Sequence, residues 1–279
     1  MTATALLTPF ERDAVRRDSL VELARIETAT MLTRASIWIG FVVSVVVAVT
    51  GALADEEWSA QKYQSLVPLA IYPMTLTTFV AGVRAGHRDR SHHGAPLSED
   101  APLDGDDRAW ARLASLIVPV GSAALLTIVI SVGSRIEGGF WIGEGTARND
   151  RATHSILELL QPPLVVAVVG AAAIAVGRAV VRSGPAIVLG VVALFMTGSV
   201  YWMWNADYVY ATALMQIQPV EDLDAVHWPT VGLHDLYLVG LAAGFCGLAV
   251  RGPVRRRLAL GGAAIAALSV VAQLVVAPQ

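Results

Sequence analysis

Long apolar segments alternate with short polar ones along almost all of this chain. Seven segments are long enough for a helix to cross a hydrocarbon core of about 30 Å. They cover residues 35–54, 66–83, 113–132, 163–181, 185–204, 231–250 and 258–277. Inside a bilayer each backbone amide must find its partner within the segment, so we expect helices. The pattern predicts an all-α, polytopic integral membrane helix bundle with about seven transmembrane helices.

The N-terminal segment has a different pattern. Residues 10–32 mix charged and apolar side chains and contain neither glycine nor proline. Part of one helical face is apolar, which predicts a helix either lying on the membrane surface or fully solvated. The 34 residues before the first span carry mixed charge, which is not typical of a cleavable signal peptide. We therefore predict an amphipathic segment over 1–34 and a transmembrane domain over 35–279.

The distribution of arginine and lysine predicts the orientation. With the N-terminus inside, the inner segments hold 16 of the 20 basic residues. The outer loops hold only Lys62, Arg135, Arg148 and Arg151. Basic residues accumulate in cytoplasmic loops, so we expect a multi-pass protein of a bacterial plasma membrane with a cytoplasmic N-terminus. Seven spans place the C-terminus outside, whereas six or eight would place it inside.

Composition draws attention to one loop. The chain is 55% hydrophobic and only 15% charged, yet residues 84–112 contain 11 charged residues and three histidines. The orientation places this loop in the cytoplasm. Its residues His87, Asp89, His92 and His93 do not match a zinc-binding spacing, so we expect a solvated loop and no metal site.

The chain lacks the usual catalytic motifs. A phosphate-binding Walker loop ends in Gly-Lys, and the single lysine, Lys62, lies in a predicted outer loop. Neither HExxH nor GxSxG occurs, and the last span has no lysine for a retinal Schiff base. We therefore predict no catalytic residue, no cofactor held by this chain and no nucleic-acid partner.

The polar residues of the spans are mostly mild. Hydroxyl groups could line a pathway for an amphipathic or lipid-like cargo, or could serve helix packing; they belong to Tyr72, Thr75, Thr78, Ser122, Thr127, Thr197 and Ser199. Gly240 and Gly244 form a GxxxG pattern, for which packing within the subunit is favoured over a dimer contact. His234 and Asp235 are a functional candidate, but we expect them to be hydrated at the outer interface.

Four stretches together resemble the permease subunits of type 2 ABC exporters, of the actinobacterial type. They are "LARIETATMLTRASIWIGF" (23–41), "PLAIYPMTLTTFVAGVRAGHRDRSHHGAPLSED" (68–100), "SILELLQPPLVVAVVGAAAIAVGRAV" (155–180) and "HDLYLVGLAAGFCGLAVRGPVRRR" (234–257). Such permeases usually have six spans, so the resemblance implies one extra C-terminal span here.

The resemblance implies specific partners. Such permeases pair as dimers, and each docks on a separate cytosolic ATP-binding subunit, which would hold ATP and magnesium. Docking uses a short coupling helix, and the matching residues here are Pro96, Leu97, Ser98, Glu99 and Asp100. The missing Walker lysine agrees with this division of labour.

Two other functions are compatible with the same sequence. The chain could be a polytopic scaffold or accessory subunit of another complex that transports nothing. It could also be an integral membrane enzyme that uses His234, Asp235 or His154 at the outer face.

Overall fold

A computed structural model describes residues 9–53, 60–91, 105–136, 140–142, 150–152, 156–203, 211–214 and 228–276. Within these ranges the chain forms nine helices: α1 (Pro9–Leu32), α2 (Ala35–Leu53), α3 (Ala60–Ser91), α4 (Gly105–Ser115), α5 (Ile117–Ile136), α6 (Ile156–Ala179), α7 (Ser183–Met203), α8 (Trp228–Ala249) and α9 (Gly252–Val276). Strands β1 (Phe140–Ile142) and β2 (Asp150–Ala152) form a small antiparallel hairpin between α5 and α6. The predicted all-α class is confirmed.

Several helices are long and apolar enough to cross a membrane. Among the described residues, four segments meet this description: Gly105–Gly133, Ile156–Ala179, Pro229–Ala249 and Gly252–Val276. Helices α1 and α2, bent by 54° between Leu32 and Ala35, would make a fifth if they form one span. The chain is therefore compatible with a helical membrane bundle, while the count of seven spans stays a prediction.

The charged loop is shorter than its sequence indicates. Helix α3 contains the predicted second span and continues past Val83 to Ser91. Helix α4 begins at Gly105. Most of the charged residues near both ends of the 84–112 segment are therefore helical, and the connection between the two helices is 92–104.

Prolines affect the helices in two different ways. In the third predicted span α4 and α5 meet at Leu116, within an apolar stretch that runs over Gly105–Gly133. Pro119 has no amide hydrogen for the carbonyl of Ser115, and its ring disfavours a regular turn there. By contrast, α6 passes through Pro162 and Pro163 without a break. Both rings are buried, and we attribute their tolerance to this packing and to the apolar setting.

Helix α6 occupies the centre of the bundle, packed by α3, α5 and α8. Its contact with α3 depends on small residues on both helices. A Cβ atom on Gly86 would collide with the Ile174 carbonyl, and one on Gly177 would collide with the Val83 carbonyl. The two backbones can therefore approach closely only because these positions are glycine.

Helix α9 packs mainly on α8. The chain reverses between them at Gly252, which has a φ of 75°, a conformation that favours glycine. The buried residues of α9 form one stripe: Gly262, Ala266, Ser269 and Gln273. A Cβ atom on Gly240 would lie 2.6 Å from the Ala266 nitrogen, so the predicted GxxxG pattern lies in this contact within the subunit.

Candidate docking site and a second polar cluster

The predicted docking residues Pro96, Leu97, Ser98, Glu99 and Asp100 lie outside the described residues. The helices on both sides of them are described. We use "loop end" for the end of the bundle where α3 stops at Ser91 and α4 begins at Gly105, and "far end" for the opposite end. The loop end is the predicted cytoplasmic side.

Glu27 of α1 links the two helices that flank the loop. Its Oε2 atom lies 3.3 Å from Nη2 of Arg88 on α3, and its Oε1 atom lies 3.3 Å from Nε of Arg112 on α4. The side chains of Glu27 and Arg112 are only 11% and 7% exposed. Because both charges are buried, each depends on the other for stabilisation.

A second ion pair attaches α1 to α4. Arg16 donates from Nε to Oδ2 of Asp107 at 3.0 Å and from Nη2 to Oδ1 at 2.9 Å. This two-bond geometry fixes both the distance and the orientation of the two groups. Asp107 is buried, whereas Arg16 is largely exposed. Helix α1 is thus held against α4, on the C-terminal side of the loop.

Asp106 joins α4 to two distant parts of the chain. Its Oδ1 atom accepts a hydrogen bond from the backbone amide of Arg251 at 2.7 Å. The same atom lies 3.8 Å from Nη2 of Arg178, at the end of α6. A single carboxylate therefore contacts both α6 and the turn between α8 and α9.

The corner between α1 and α2 is attached to α3. Arg34 donates from Nη1 to the Ala81 carbonyl at 2.6 Å. Burial and then the nearby charge of Arg88 lower the pKa of Arg34 from its usual value. An arginine stays protonated at neutral pH regardless, so the corner keeps its positive charge.

The predicted pathway residues do not form one described lining. Thr75, Ser122, Thr127 and Thr197 donate their hydroxyls to carbonyls of their own helices, at 2.6–2.9 Å. Thr197 is exposed on α7, and the side chain of Ser199 lies outside the described residues. Two other members, Tyr72 and Thr78, bury hydroxyl oxygens that have no hydrogen-bond partner.

A second polar cluster lies at the far end, near the start of α8 and the end of α9. His234 is 0%, Asp235 8% and Gln273 1% exposed. The expectation that His234 and Asp235 are simply hydrated is therefore wrong. It treated α8 as a helix facing an interface, whereas α6 and α9 pack against it and cover these side chains.

The polar atoms of this cluster are not satisfied. Both ring nitrogens of His234, both carboxylate oxygens of Asp235 and both amide atoms of Gln273 are buried without a hydrogen-bond partner. Gln273 and the Leu214 carbonyl lie beside the His234 ring, outside hydrogen-bonding geometry. The Tyr237 ring centroid is 5.5 Å from that of His234.

The metal prediction concerns residues that are only partly described. His87 lies on α3, while the Asp89 side chain, His92 and His93 are outside the described part, as is His154 of the enzyme hypothesis. Within the described ranges, no group of three or more histidine, cysteine or acidic residues is placed to hold a metal ion.

The ion pairs of the loop end could not be found from the sequence. It showed charges near the ends of spans, but the paired Glu27 and Arg112 are 85 positions apart, and Asp106 is 145 positions from the backbone amide of Arg251 that it binds. The only signal was the concentration of charge in 84–112. For the far end, the His-Asp pair was noticed, but Gln273 was missed because a lone glutamine near a helix end is common.

Comparison of the chain with protein-family models, with curated proteins and with solved structures gives no match.

Proposed function

We propose that this chain is the membrane-spanning permease subunit of an ATP-driven exporter. It docks on a separate cytosolic ATP-binding subunit through the 84–112 segment and moves an amphipathic or lipid-like cargo. The observation that carries the proposal is the set of ion pairs and one hydrogen bond at the loop end. These contacts attach both flanks of the segment to α1 and to the α8–α9 turn.

The ion pairs give the loop a mechanical connection. Glu27 holds Arg88 and Arg112 at the same time, so the two flanks move together with α1. Asp106 passes the connection on to Arg178 and to the amide of Arg251. A force applied at 92–104 must then either shift α1, α6 and the α8–α9 turn or break buried pairs. Breaking them is costly, so movement of the helices is favoured.

The division of labour supports the same proposal. The chain has one lysine, Lys62, and no Gly-Lys phosphate-binding motif, so ATP and magnesium belong on the partner. The partner can shift the bundle between two packing states only if it binds one of them more tightly. A second permease subunit, also implied by the sequence resemblance, would complete the transporter.

Co-purification tests the partner. An affinity-tagged chain in mild detergent should bring down a protein with a Walker motif. The combined variant Leu97→Gly, Glu99→Ser, Asp100→Ser should lose that protein and still insert into the membrane. The matched control is Glu221→Ser, Asp222→Ser, Asp224→Ser in the predicted outer loop, which should retain it. Retention by the first variant would show that the docking residues are elsewhere.

Labelling of intact cells tests the orientation. Cys246 is the only cysteine, so Cys246→Ala gives a background for single-cysteine variants. A membrane-impermeant maleimide should label Asn149→Cys and leave Ser98→Cys unlabelled until the cells are opened. Labelling of Ser98→Cys in intact cells would refute the proposal, because a cytosolic ATPase could not reach that loop.

A scaffold or accessory subunit is the second candidate. The observation that favours it concerns the hydroxyls of Thr75, Ser122 and Thr127. Each donates a hydrogen bond to a carbonyl of its own helix, so these residues are compatible with a bundle that has no transport pathway. The two functions differ in the partner. A scaffold would co-purify with a complex that lacks an ATP-binding subunit, and the 97, 99 and 100 substitutions would not change its composition.

A further inference from the structure

The far end of the bundle contains an ionisable pair that the proposed exporter mechanism does not use. His234 and Asp235 follow each other on α8, roughly 9 Å along the helix from its first residue by the helical rise. Both are buried, and neither has a hydrogen-bond partner for its side chain. Polar groups in this state are rare in folded proteins and call for a functional explanation.

The described residues of α6 and α9, the two helices that pack on α8, supply no basic partner at this end. A Cβ atom on Gly232 of α8 would lie 3.8 Å from Cδ1 of Leu157 on α6, so these two residues are at the same level of the bundle. The polar residues of α6 near this level are therefore Glu158 and Gln161. Helix α9 contributes Gln273, and the segment 211–214 contributes the Leu214 carbonyl. The Tyr237 hydroxyl of α8 donates to the Thr212 carbonyl at 2.9 Å. The arginines described on α6 and at the α8–α9 turn, Arg178 and Arg251, are at the loop end.

The size of the site restricts its ligand. His234, Asp235 and Gln273 are buried almost completely, and the described residues provide no set of three ligands for a metal ion. A proton needs no cavity, and imidazole and carboxylate are the side chains that exchange protons closest to neutral pH.

We propose that His234 and Asp235 form an intramembrane proton-binding site, with the Gln273 side chain beside the His234 ring. A hydronium ion in the water at the far end supplies the proton. One of its O–H bonds breaks, one N–H bond forms on the imidazole or one O–H bond forms on the carboxylate, and a water molecule is left. The proposal goes beyond the exporter function and does not depend on it, because no part of the site contacts the 84–112 segment.

Nuclear magnetic resonance of the full chain tests the site. In detergent-solubilised protein with isotope-labelled histidine, the ring signal that disappears in His234→Gln belongs to His234. This signal should shift with pH between about pH 4 and pH 9. In Asp235→Asn its midpoint should move by about one pH unit or more, because interacting groups titrate together. The control Asp18→Asn, at an exposed position on α1, should leave the midpoint unchanged.

Gln273 has its own test. Gln273→Leu should change the His234 ring signal and its midpoint, and Gln273→Asn should restore part of the change. A role in packing alone predicts that the midpoint stays the same in both variants. In that case the Gln273 amide does not affect proton binding at His234.

Two results would overturn the proton site. One is a His234 signal that stays constant over the whole pH range. The other is an Asp235→Asn midpoint equal to that of the unmodified chain. If Asp235→Asn does not fold, the test uses infrared spectra of the unmodified chain and of Asp235→Glu instead. A carboxyl band of residue 235 that never changes with pH would overturn the site. Co-purification of the ATP-binding subunit should be unchanged in Asp235→Asn, so failure of this inference is distinguishable from failure of the exporter proposal.

Discussion

At the loop end, Glu27 shares its carboxylate between Arg88 and Arg112, whereas at the far end His234 and Gln273 bury polar atoms that have no hydrogen-bond partner. Each cluster brings together side chains from more than one helix. The first does so by satisfying charges, so it stabilises the arrangement of the helices. The second is costly for the fold, so its presence indicates a use other than stability.

The largest effect should follow removal of the Glu27 carboxylate. Glu27→Ala leaves Arg112 buried without it, and we expect the free energy of unfolding to fall by about 3 kcal/mol. The value lies at the low end of the usual range because Arg112 makes further interactions. Thermal unfolding in detergent measures it. As a control, Glu22→Ala removes an exposed pair with Arg25 and should change little. Equal effects of the two variants would mean that the loop end is not stabilised by buried charge.

The next effect concerns the contact that covers the far end. Gly262 faces Gly240 and Gly244, and a Cβ atom on it would collide with backbone atoms of both. Gly262→Leu should cost about 1–3 kcal/mol and loosen α9 from α8. Faster trypsin cleavage at 255–257 would report the loosening. The neighbouring Gly261 faces open space, so Gly261→Leu should cleave at the normal rate. Identical cleavage of both variants would contradict the packing described for α9.

A smaller effect is expected at Asp106. Asp106→Ala removes the acceptor for the Arg251 amide, which should cost about 1–2 kcal/mol. Hydrogen exchange of the peptide around Arg251 should become faster, because that amide loses its partner. Asp106→Asn keeps an oxygen acceptor and should exchange more slowly than Asp106→Ala. If the peptide around Arg251 exchanges at the same rate in both variants and in the unmodified chain, Asp106 does not attach α4 to the α8–α9 turn.

The smallest effect should have the opposite sign. Gln273→Leu replaces an unsatisfied amide by an apolar side chain of similar size, so stability should stay the same or rise by about 1 kcal/mol. Thermal unfolding of Gln273→Leu and Glu27→Ala under the same conditions compares the stability of the two ends. A loss of more than about 1 kcal/mol would show that the Gln273 amide has a partner, and the contrast between the two ends would disappear.

The apolar runs in the sequence predicted the positions of the helices better than they predicted how the helices pack against one another. The predicted spans lie in α2, α3, α5 and α6–α9 because helix formation in an apolar medium is a local property of the chain. The passage of α6 through Pro162 and Pro163 without a break depends on the packing around these buried prolines, which local pattern does not contain. The burial of His234 likewise depends on α9, whose contact with α8 is a tertiary property.

The arrangement of α9 has a consequence for how the protein can be divided. This helix is attached along one stripe of four buried residues, and its opposite face carries exposed Leu260, Leu268, Val271 and Val275. Removing it would therefore uncover a single groove on α8 and leave the contacts among the earlier helices intact. A chain cut after Arg251 and supplied with residues 252–276 as a separate peptide should reassemble, which would make the last helix an exchangeable module of the protein.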